Sequence, residues 1–375
     1  MPELPEVETI KNILAKLVIG KKISNIEIFN RNTIEGDPSD FAKTLRGKTI
    51  SKLTRIGKFL IFHLDEEIVF LSHLRMEGKY FYHEQMLETY DKHACVVFTF
   101  SDHSALEYND TRKFGLMKLS SAATYQTSPP LSNLGPEPFD IKDVKPLLSK
   151  LARKTIPIKA VLLDQTFMAG LGNIYVDEVL YLSLIHPETP ADRISESQLK
   201  GIISNSVKVL SMAIKSGGST IRSYHPSQGI DGGFQTQLNA YGKENLPCPR
   251  CNHGMRKIFV GGRGTTFCPR CQKNPSLPYV IGITGPIGSG KSSVLSFFGE
   301  RGYHTLSGDT IVKDLYQDKK VQESIVKLFG NNVVDESGNI DKRFIVDVII
   351  ADEHKKRRLE KILHPRVEKA VVETL

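Results

Sequence analysis

The segment CPRCNHGMRKIFVGGRGTTFCPRC, residues 248–271, decides the fold of its part of the chain. Two C-x-x-C pairs enclose sixteen residues, and four thiolates at that spacing suit a tetrahedral zinc ion. The residues between the pairs read as two short strands joined by a GGRG turn, which predicts a zinc ribbon. Four sulfur ligands leave no open coordination position, so we expect one structural Zn²⁺. An unliganded or redox-active set of cysteines is the alternative. The predicted ligands are Cys248, Cys251, Cys268 and Cys271.

Charge divides the chain into two unequal parts. The 375 residues carry a formal net charge of +8, and residues 1–278 hold 35 Lys and Arg against 28 Asp and Glu. Residues 279–375 hold 15 against 14. The basic excess therefore belongs to the first part, where it suits a polyanionic partner. Because no apolar run approaches membrane-spanning length and no signal peptide is present, the sequence predicts a cytoplasmic protein without a membrane partner.

The pattern of apolar residues predicts a multi-domain α+β protein. An opening helix is followed, up to about residue 130, by eight short strands that indicate an antiparallel β-sandwich. A helical period then runs from about 141 to 216, and a Gly- and Ser-rich segment separates it from the ribbon. Cys95, within the apolar run ACVVFTF, reads as a buried core residue. The predicted domains are 1–130 (β-sandwich), 131–235 (helical), 236–275 (zinc ribbon) and 279–375 (a partial α/β P-loop domain).

The first ten residues, MPELPEVETI, allow two interpretations. Proline suits the first helical position, and acidic residues there complement the helix dipole, so a helix start is the simpler one. The other interpretation makes the chain terminus itself a chemical group. These ten residues alone favour the helix.

Two further segments of the sequence are suited to binding a phosphate group. In MAGLGNIYVDEVL, residues 168–180, two glycines precede Asn173 and a new helix, which exposes backbone N–H groups at the helix start. Arg263 stands at the tip of the ribbon turn, either as a solvated arginine or as a bidentate phosphate ligand. Together with the basic charge, both features favour DNA as the partner.

Several motifs in order then resemble one family, the bacterial formamidopyrimidine-DNA glycosylases. The resemblance covers residues 1 to about 273, and it implies a helix-two-turn-helix domain in the helical region and a base-excision repair enzyme with coupled AP lyase activity. The motifs are PELPEVET, GKFL around Lys58, SHLRMEGKY around Met76, YNDTRKFG around Arg112, LGPEP, DQTFMAGLGNIYVDE and the GGRG-containing ribbon.

The resemblance also assigns catalytic roles. Family members lose Met1, and the secondary amine of Pro2 becomes the nucleophile. An α-amino group with a pKa near 8 is about 10% neutral at pH 7, whereas a lysine amine is less than about 0.1% neutral. Glu3 would supply the proton for opening of the sugar ring, Lys58 would be the proton donor for β-elimination and Arg263 that for δ-elimination. Because a guanidinium is a poor acid, phosphate positioning is the physically better role for Arg263.

The DNA contacts follow from the same resemblance. Met76, Arg112 and Phe114 match the side chains that fill the gap left by the extruded base, although each could instead be a core or solvated residue. His93, Arg112 and Lys154 match the family's DNA contacts, and the register of Lys154 allows a shift of one residue. Asn173, at the glycine-rich helix start, is a further expected DNA contact. The Gly-rich loop after Ser216 matches the segment that covers the extruded lesion. Thr111 and Lys113 stand where the family often has Pro and Arg.

The implied partner is double-stranded DNA containing oxidised purines, namely 8-oxoguanine and formamidopyrimidines, or abasic sites. The implied protein is a bacterial monomer associated with the nucleoid through DNA. A sister branch with the same N-terminal proline removes oxidised pyrimidines, but Leu4 and LGPEP resemble the purine branch better. The alternative from a different class is a nonenzymatic zinc-ribbon DNA-binding protein with an ATP-binding kinase domain.

The last part of the chain contains a phosphate-binding loop. GITGPIGSGKSS includes G-x-x-x-x-G-K-S between a predicted strand at 279–284 and a predicted helix, which is the context of a P-loop for ATP and Mg²⁺. This part resembles dephospho-CoA kinases, whose members are about twice as long, so we expect a truncated kinase without turnover. The nucleotide-binding residues would be Gly285, Gly288, Gly290, Lys291, Ser292 and Asp309.

Overall fold

The chain forms two compact units, Met1–Ser276 and Leu277–Leu375. A computed structural model describes residues 2–65, 67–218, 233–275, 281–286, 288–335 and 338–374. Met1 and residues 219–232, which hold most of the predicted lesion-covering loop, lie outside the described residues. None of the helices in these described ranges combines the length and the apolar character needed to cross a membrane.

The first unit begins with helix α1 (Leu4–Val18), whose apolar face is buried through Val7, Ile10 and Leu14. Pro2 precedes this helix and Pro5 lies in its first turn, so the predicted helix start is confirmed, with Pro5 as the proline inside the helix. Glu3 is the N-cap residue in extended conformation, and its backbone N–H donates to Oε2 of Glu6 at 2.9 Å. The terminus is therefore held at the helix start by a buried hydrogen bond.

Two sheets follow α1, and all eight predicted strands are present. The four-stranded sheet has the order β1 (Ile23–Ile28), β7 (Ala94–Phe100), β8 (Ala105–Asn109), β6 (Lys79–His83). The five-stranded sheet has the order β2 (Ile34–Glu35), β9 (Leu116–Ser121), β5 (Ile68–His73), β4 (Phe59–Leu64), β3 (Ile50–Ile56). The two-residue strand β2 was not predicted, and its pairing with β9 is parallel. All other strand pairs are antiparallel.

The sheets share one core, to which α1 and α2 (Pro38–Leu45) contribute. The rings of Phe70 and Phe98, one from each sheet, stack with centroids 5.5 Å apart, and Phe62 stacks on Phe70 at 4.3 Å. The other face of β4 and β5 packs on Tyr125 and Leu131 from the segment after β9. Burial on both faces explains why FLIFHL is apolar at every position except His63 instead of alternating.

Four helices build the second half of this unit, as the helical period predicts. They are α3 (Lys145–Leu151), α4 (Ile158–Leu163), α5 (Asn173–Leu182) and α6 (Glu196–Lys215), and they enclose a separate core. Leu4 from the first turn of α1 belongs to this second core, whereas Val7 belongs to the first. Helix α1 therefore joins the sandwich to the helical half.

The ribbon is a hairpin of β10 (Arg256–Val260) and β11 (Arg263–Phe267). Its turn consists of Gly261 and Gly262, with φ of +55° and +72°. Glycine adopts positive φ without the steric cost that a side chain brings, so the predicted GGRG turn has its physical reason here.

The second unit is helical in its described part. It contains α7 (Lys291–Gly299), α8 (Gly308–Leu315), α9 (Lys319–Phe329), α10 (Lys342–Ala351) and α11 (Glu353–Thr374), with a small core between the last four. Residues 281–284 form no strand, in contrast to the predicted one over 279–284, whose first two residues lie outside the described ranges. A strand needs a ladder partner, and the described residues of this unit offer only one isolated bridge, Val334 with Ile340.

Candidate active site and zinc centre

The centre of the candidate site is the carboxylate of Glu3, which lies at the N-terminus of α5. Its oxygens accept hydrogen bonds from the backbone N–H groups of Gly172 at 2.7 Å, Ile174 at 2.9 Å and Tyr175 at 3.4 Å. These are N–H groups that a helix start leaves without intrahelical partners. The predicted anion site before Asn173 is therefore occupied by a side chain of the chain's own N-terminus.

The glycine-rich turn before α5 makes this approach possible. Gly170 has φ of +102° and its carbonyl accepts from the N–H of Leu4 at 3.1 Å. A Cβ on Gly172 would lie 2.3 Å from Cδ of Glu3. The two glycines thus leave room for the chain terminus, and this close approach is their physical reason.

Burial gives Glu3 an acid–base property suited to chemistry near neutrality. Only 2% of the residue is exposed, and burial raises its pKa to about 7, while the nearby charge of Lys58 and the backbone N–H donors oppose the rise. A carboxyl group with this pKa is present in both protonation states at pH 7. It can hold a proton and release it to a bound substrate.

Glu6 and Tyr175 complete the immediate surroundings of Glu3. Glu6 is 4% exposed, and its Oε1 accepts from the Tyr175 hydroxyl at 2.6 Å while Oε2 accepts from the N–H of Glu3. The hydrogen bonds of Glu6 hold the first turn of α1 against α5.

Lys58 reaches the same turn from the sandwich. Its ammonium group donates to the carbonyl oxygen of Leu171 at 2.7 Å and is buried. Burial lowers the pKa of Lys58, whereas the charges of Glu3 and Glu6 raise it and that of Arg263 lowers it further. The sandwich therefore contributes Lys58 and the N-terminal segment contributes Glu3 to a single buried site, and both groups bind backbone atoms of the turn before α5.

A clamp of three charged residues holds the turn that carries Lys58. Arg55 forms a bidentate ion pair with Glu137 at 2.7 and 2.9 Å, and its Nε donates to Glu8 at 2.8 Å. The N–H of Gly57 donates to Glu137 at 2.7 Å. Glu137 belongs to LGPEP, one of the motifs by which the sequence resembles the family. Its position between two prolines is the feature of the sequence that could have indicated a specific contact for this acidic residue.

Arg263 lies exposed at the start of β11, and the helical half holds this strand. Asn173 Nδ2 donates to the carbonyl of Gly264 at 3.0 Å, and the buried ammonium of Lys159 donates to the same oxygen at 3.3 Å and to Asp177 at 2.6 Å. Asp177 in turn accepts from the N–H of Thr266 at 3.0 Å. The ribbon strand is thereby fixed to α4 and α5. Sequence reasoning missed Lys159, because a lysine in an amphipathic helix has no distinct pattern.

The four predicted zinc ligands converge. Their sulfur atoms all lie within 4.8 Å of one another, with Cys251 and Cys268 at 3.5 Å and Cys248 and Cys271 at 4.0 Å. Zinc–sulfur bonds of about 2.3 Å in a tetrahedron place sulfurs about 3.8 Å apart, so the four residues fit one Zn²⁺. Tyr181 of α5 packs on the cluster, and its hydroxyl lies 3.4 Å from Sγ of Cys248. The centre therefore anchors the ribbon to the helical half.

The predicted DNA contacts from the sandwich lie on neighbouring turns. Arg112 and Phe114 are exposed on the loop after β8, and the guanidinium carbon of Arg112 lies 4.8 Å from the centroid of the Phe114 ring. His93 is half-buried just before β7, where its carbonyl accepts from the N–H of Asp110. Met76 is half-buried in the turn between β5 and β6. The interpretation of Phe114 as a core residue does not hold, because it is 56% exposed.

Lys154 stands apart from the other predicted contacts. It is half-buried after α3, and its ammonium lies 3.5 Å from a carboxylate oxygen of Asp164. His73, which sequence reasoning did not single out, lies near Lys58 at the end of β5. Its Nδ1 accepts from the N–H of Arg75 at 3.0 Å, and burial, together with the charges of Arg75 and Lys58, lowers its pKa to about 3. Its ring is therefore neutral at pH 7.

The predicted phosphate loop of the second unit lies before α7. Gly288 and Gly290 have φ of +79° and +81°, and the Lys291 ammonium donates to the carbonyls of Gly285 and Pro286, each at 2.7 Å. Ser292 lines a cavity of about 720 Å³. Asp309 lies in the first turn of α8, and the residues found to line the cavity do not include it.

Four family models match the chain. They are the Formamidopyrimidine-DNA glycosylase N-terminal domain (residues 1–117), the Formamidopyrimidine-DNA glycosylase H2TH domain (134–225), the Zinc finger found in FPG and IleRS (245–274) and Dephospho-CoA kinase (279–375). The predicted resemblance to both families is thereby confirmed.

Similar proteins and structures agree with these matches. The formamidopyrimidine-DNA glycosylase of Ligilactobacillus salivarius is 48% identical over 273 residues, which are 72% of this chain and 99% of that protein. The Bacillus subtilis enzyme is 48% identical over 276 residues, with shares of 72% and 99%. A crystal structure of a Lactococcus lactis FPG variant with Fapy-dG-containing DNA is 41% identical with a TM-score of 0.68, covering 73% of this chain and 100% of that one. A complex of Lactococcus lactis Fpg with abasic-site DNA has the same identity and coverage and a TM-score of 0.67. The chain belongs to the formamidopyrimidine-DNA glycosylase family.

Proposed function

We propose that the first unit removes oxidised purines, namely 8-oxoguanine and formamidopyrimidines, from duplex DNA and then cleaves the resulting abasic site. The observation that carries the proposal is the buried Glu3 carboxyl group beside Pro2, held on the N-terminus of α5 with Lys58 next to it. Solved structures of similar proteins contain Fapy-dG, abasic-site or carbocyclic 8-oxo-G DNA, which supports the substrate class. The working domains would be 1–130, 131–235 and 236–275, in a bacterial cytoplasm where DNA is accessible.

The chemistry starts at Pro2. After loss of Met1, the secondary amine attacks C1′ of the damaged nucleotide, the C1′–N bond to the base breaks, and the base leaves with a proton. Glu3 gives its proton to the ring oxygen O4′ as the C1′–O4′ bond breaks. The product is an iminium ion that is cationic without further protonation. This electron sink lets the C2′ proton leave as the C3′–O bond breaks, which is β-elimination. The C4′ proton of the resulting unsaturated iminium ion then leaves as the C5′–O bond breaks, which is δ-elimination.

Lys58 and Arg263 would serve the elimination steps. A buried ammonium with a lowered pKa transfers a proton more readily near neutrality than an exposed lysine does. Arg263 would hold a phosphate by bidentate hydrogen bonds from the ribbon turn, since a guanidinium is a poor acid. Asn173 and His93 would contact the backbone, and Lys154 is the least supported contact because its ammonium faces Asp164.

Met76, Arg112 and Phe114 would fill the gap that the extruded base leaves. An exposed aromatic ring beside a guanidinium can replace lost stacking and donate to the unpaired cytosine. The zinc centre would be structural, because the four thiolates complete the tetrahedron.

Sodium borohydride trapping tests the proposed function. Reduction during incubation with a duplex containing 8-oxoguanine opposite dC, or an abasic site, should give a covalent protein–DNA adduct, and an undamaged duplex should give none. If no purine lesion and no abasic site gave an adduct, the enzyme proposal would fail in favour of a nonenzymatic DNA-binding protein. An adduct formed only with oxidised pyrimidines would assign the chain to the sister branch.

The pH dependence of base release should follow the protonation of the Glu3 carboxyl group. The group must be protonated to act as a donor, so kcat/KM for the lesion should fall as the pH rises through about 7, the pKa of the buried carboxyl group. In Glu3→Gln this fall of kcat/KM with rising pH should disappear, and kcat should fall by about 10² to 10⁴. Glu35→Gln, at an exposed carboxylate paired with Lys118, is the matched control and should keep the wild-type profile. An unchanged fall of kcat/KM with rising pH in Glu3→Gln would assign it to another group.

For the second unit we infer nucleotide binding without kinase turnover. Three observations support this inference: residues 281–284 form no strand beneath the loop, the Lys291 ammonium is occupied by two loop carbonyls, and the residues lining the cavity do not include Asp309. ATP with Mg²⁺ and dephospho-CoA should therefore give no ADP above background, while Lys291→Ala should weaken ATP binding. Turnover at about 1 s⁻¹ or faster, the ordinary range for kinases, would contradict the inference.

A further inference from the structure

Asp110 is a buried carboxylate outside the catalytic centre, and the proposed mechanism gives it no role. It is 1% exposed and lies directly after β8, at the start of the loop Asp110–Gly115 that carries Arg112 and Phe114. Its Oδ1 accepts from the N–H of Arg112 at 2.9 Å, and its Oδ2 accepts from the N–H groups of Phe114 at 2.9 Å and Gly115 at 2.7 Å. One side chain therefore holds three backbone N–H groups of a six-residue loop.

We propose that Asp110 is the positioning residue on which the enzyme's recognition of the base opposite the lesion depends. It does so by holding Arg112 and Phe114 in one arrangement before DNA binds. The proposal rests on the proposed function, in which these two side chains face the gap and the unpaired base. Asp110 itself would touch neither DNA nor the reacting atoms.

The backbone of Asp110 connects this loop to a third predicted contact. Its N–H donates to the carbonyl of His93 at 3.1 Å, and its carbonyl accepts from the N–H of Lys113 at 3.2 Å. Lys113 has φ of +56°, a conformation that a side-chain-bearing residue rarely adopts without support. The carboxylate supplies that support through the residues on either side of Lys113. It thereby links His93, Arg112 and Phe114 through one residue.

A buried tyrosine extends the arrangement to Met76. The Tyr108 hydroxyl lies where side chains on two glycines would be: a Cβ on Gly115 would be 1.7 Å from it, and a Cβ on Gly78 would be 2.2 Å from it. Gly115 ends the loop of Arg112 and Phe114, and Gly78 closes the turn of Met76 by donating to the carbonyl of Leu74 at 2.9 Å. Both turns thus pack against the same hydroxyl group, so a shift of the Asp110 loop would also displace the Met76 turn.

The charge and the acceptor-only character of the carboxylate explain why aspartate is needed here. Backbone N–H groups bond more strongly to a carboxylate than to a neutral acceptor, and buried N–H groups left without a partner are costly. An asparagine of the same size has one oxygen and one NH₂ group, and the NH₂ group cannot accept from Phe114 and Gly115. Asp110→Asn therefore removes one half of the support without changing the volume.

The test compares kcat/KM for 8-oxoguanine opposite dC with that opposite dA. In Asp110→Asn the preference for dC over dA should fall by about 5- to 150-fold, the range in which one bidentate base contact discriminates. The borohydride adduct with a preformed abasic site should remain, because Pro2 is untouched. General destabilisation would lower both kcat/KM values equally and leave their ratio unchanged. Gly115→Ala, which displaces the same loop against Tyr108, should reproduce the loss by an independent route.

Two comparison variants separate the possible outcomes. Asp37→Asn removes a carboxylate that caps α2 through two backbone N–H groups, and it should leave the opposite-base ratio unchanged. Arg112→Ala should abolish the preference for dC over dA if Arg112 contacts the unpaired base. If Arg112→Ala loses the preference while both Asp110→Asn and Gly115→Ala retain it, the positioning role is wrong and the proposed function stands. If Arg112→Ala keeps the preference, the proposed reading by Arg112 fails, and the inference fails with it.

Discussion

Replacing Pro2 by glycine should remove the borohydride-trapped adduct on every damaged or abasic duplex. Proline offers a secondary amine, so its condensation with C1′ gives an iminium ion that carries its positive charge permanently. Glycine offers a primary amine whose imine is neutral until it is protonated. The neutral imine is a weaker electron sink for elimination and a weaker electrophile for borohydride, so less of the covalent species forms and is trapped. Pro2 lies just before α1, next to the Glu3 carboxyl group on α5, so the substitution leaves the surrounding fold in place.

The second proline of PELPEV provides a matched control for this variant. Pro5 is buried in the first turn of α1, and Pro5→Ala changes the helix start without changing the terminal amine. Pro5→Ala should retain the adduct. A form that keeps Met1 should give none, because the nitrogen of Pro2 is then an amide. An adduct of ordinary yield in Pro2→Gly or in the Met1-retaining form would place the nucleophile elsewhere, and sequencing of the trapped peptide would identify it.

Cys268→Ser should remove the zinc ion and, with it, strand cleavage. The four sulfurs lie close enough to bind one ion that joins the two C-x-x-C pairs of the ribbon, and structural zinc contributes about 10–16 kcal/mol to such small modules. Without the ion, the hairpin that carries Arg263 loses the packing of the cysteine cluster against Tyr181. We expect zinc content to fall from about one per chain to near zero and DNA affinity to fall at least about tenfold.

The chain supplies its own control for the zinc experiment. Cys95 is the one cysteine outside the cluster, buried in β7 with its sulfur directed at the carbonyls of His93 and Asp110. Cys95→Ala should keep the full zinc content. Zinc content measured by atomic emission on both variants, together with DNA binding at fixed salt, decides the matter. Cys268→Ser protein with one zinc per chain would show that the cluster is not the zinc site.

Local pattern was sufficient for most of the secondary structure. The eight predicted strands of the sandwich and the helical region that follows it are encoded by runs whose period matches their elements, and both were predicted in the part of the chain where the structure has them. Strand β2 was not, because a two-residue parallel pairing has no periodic signal. LGPEP was recognised as a motif, but its local sequence did not show that Glu137 binds Arg55 and Gly57, because both partners lie about 80 residues earlier in the chain.

The sequence by itself determined the elements, the zinc ligands, the phosphate loop and, through motif resemblance, the family and the candidate catalytic residues. These features depend on residue type and spacing along the chain, which a sequence displays directly. Only the tertiary structure decided that Glu3 is buried on the N-terminus of α5 with a pKa of about 7, that Lys58 approaches it from the sandwich, and that Asp110 organises the loop of Arg112. Each of these depends on burial and on contacts between residues far apart in the chain. The desolvation of a charge and the direction of a backbone N–H are properties of the folded surroundings and leave no mark in local sequence.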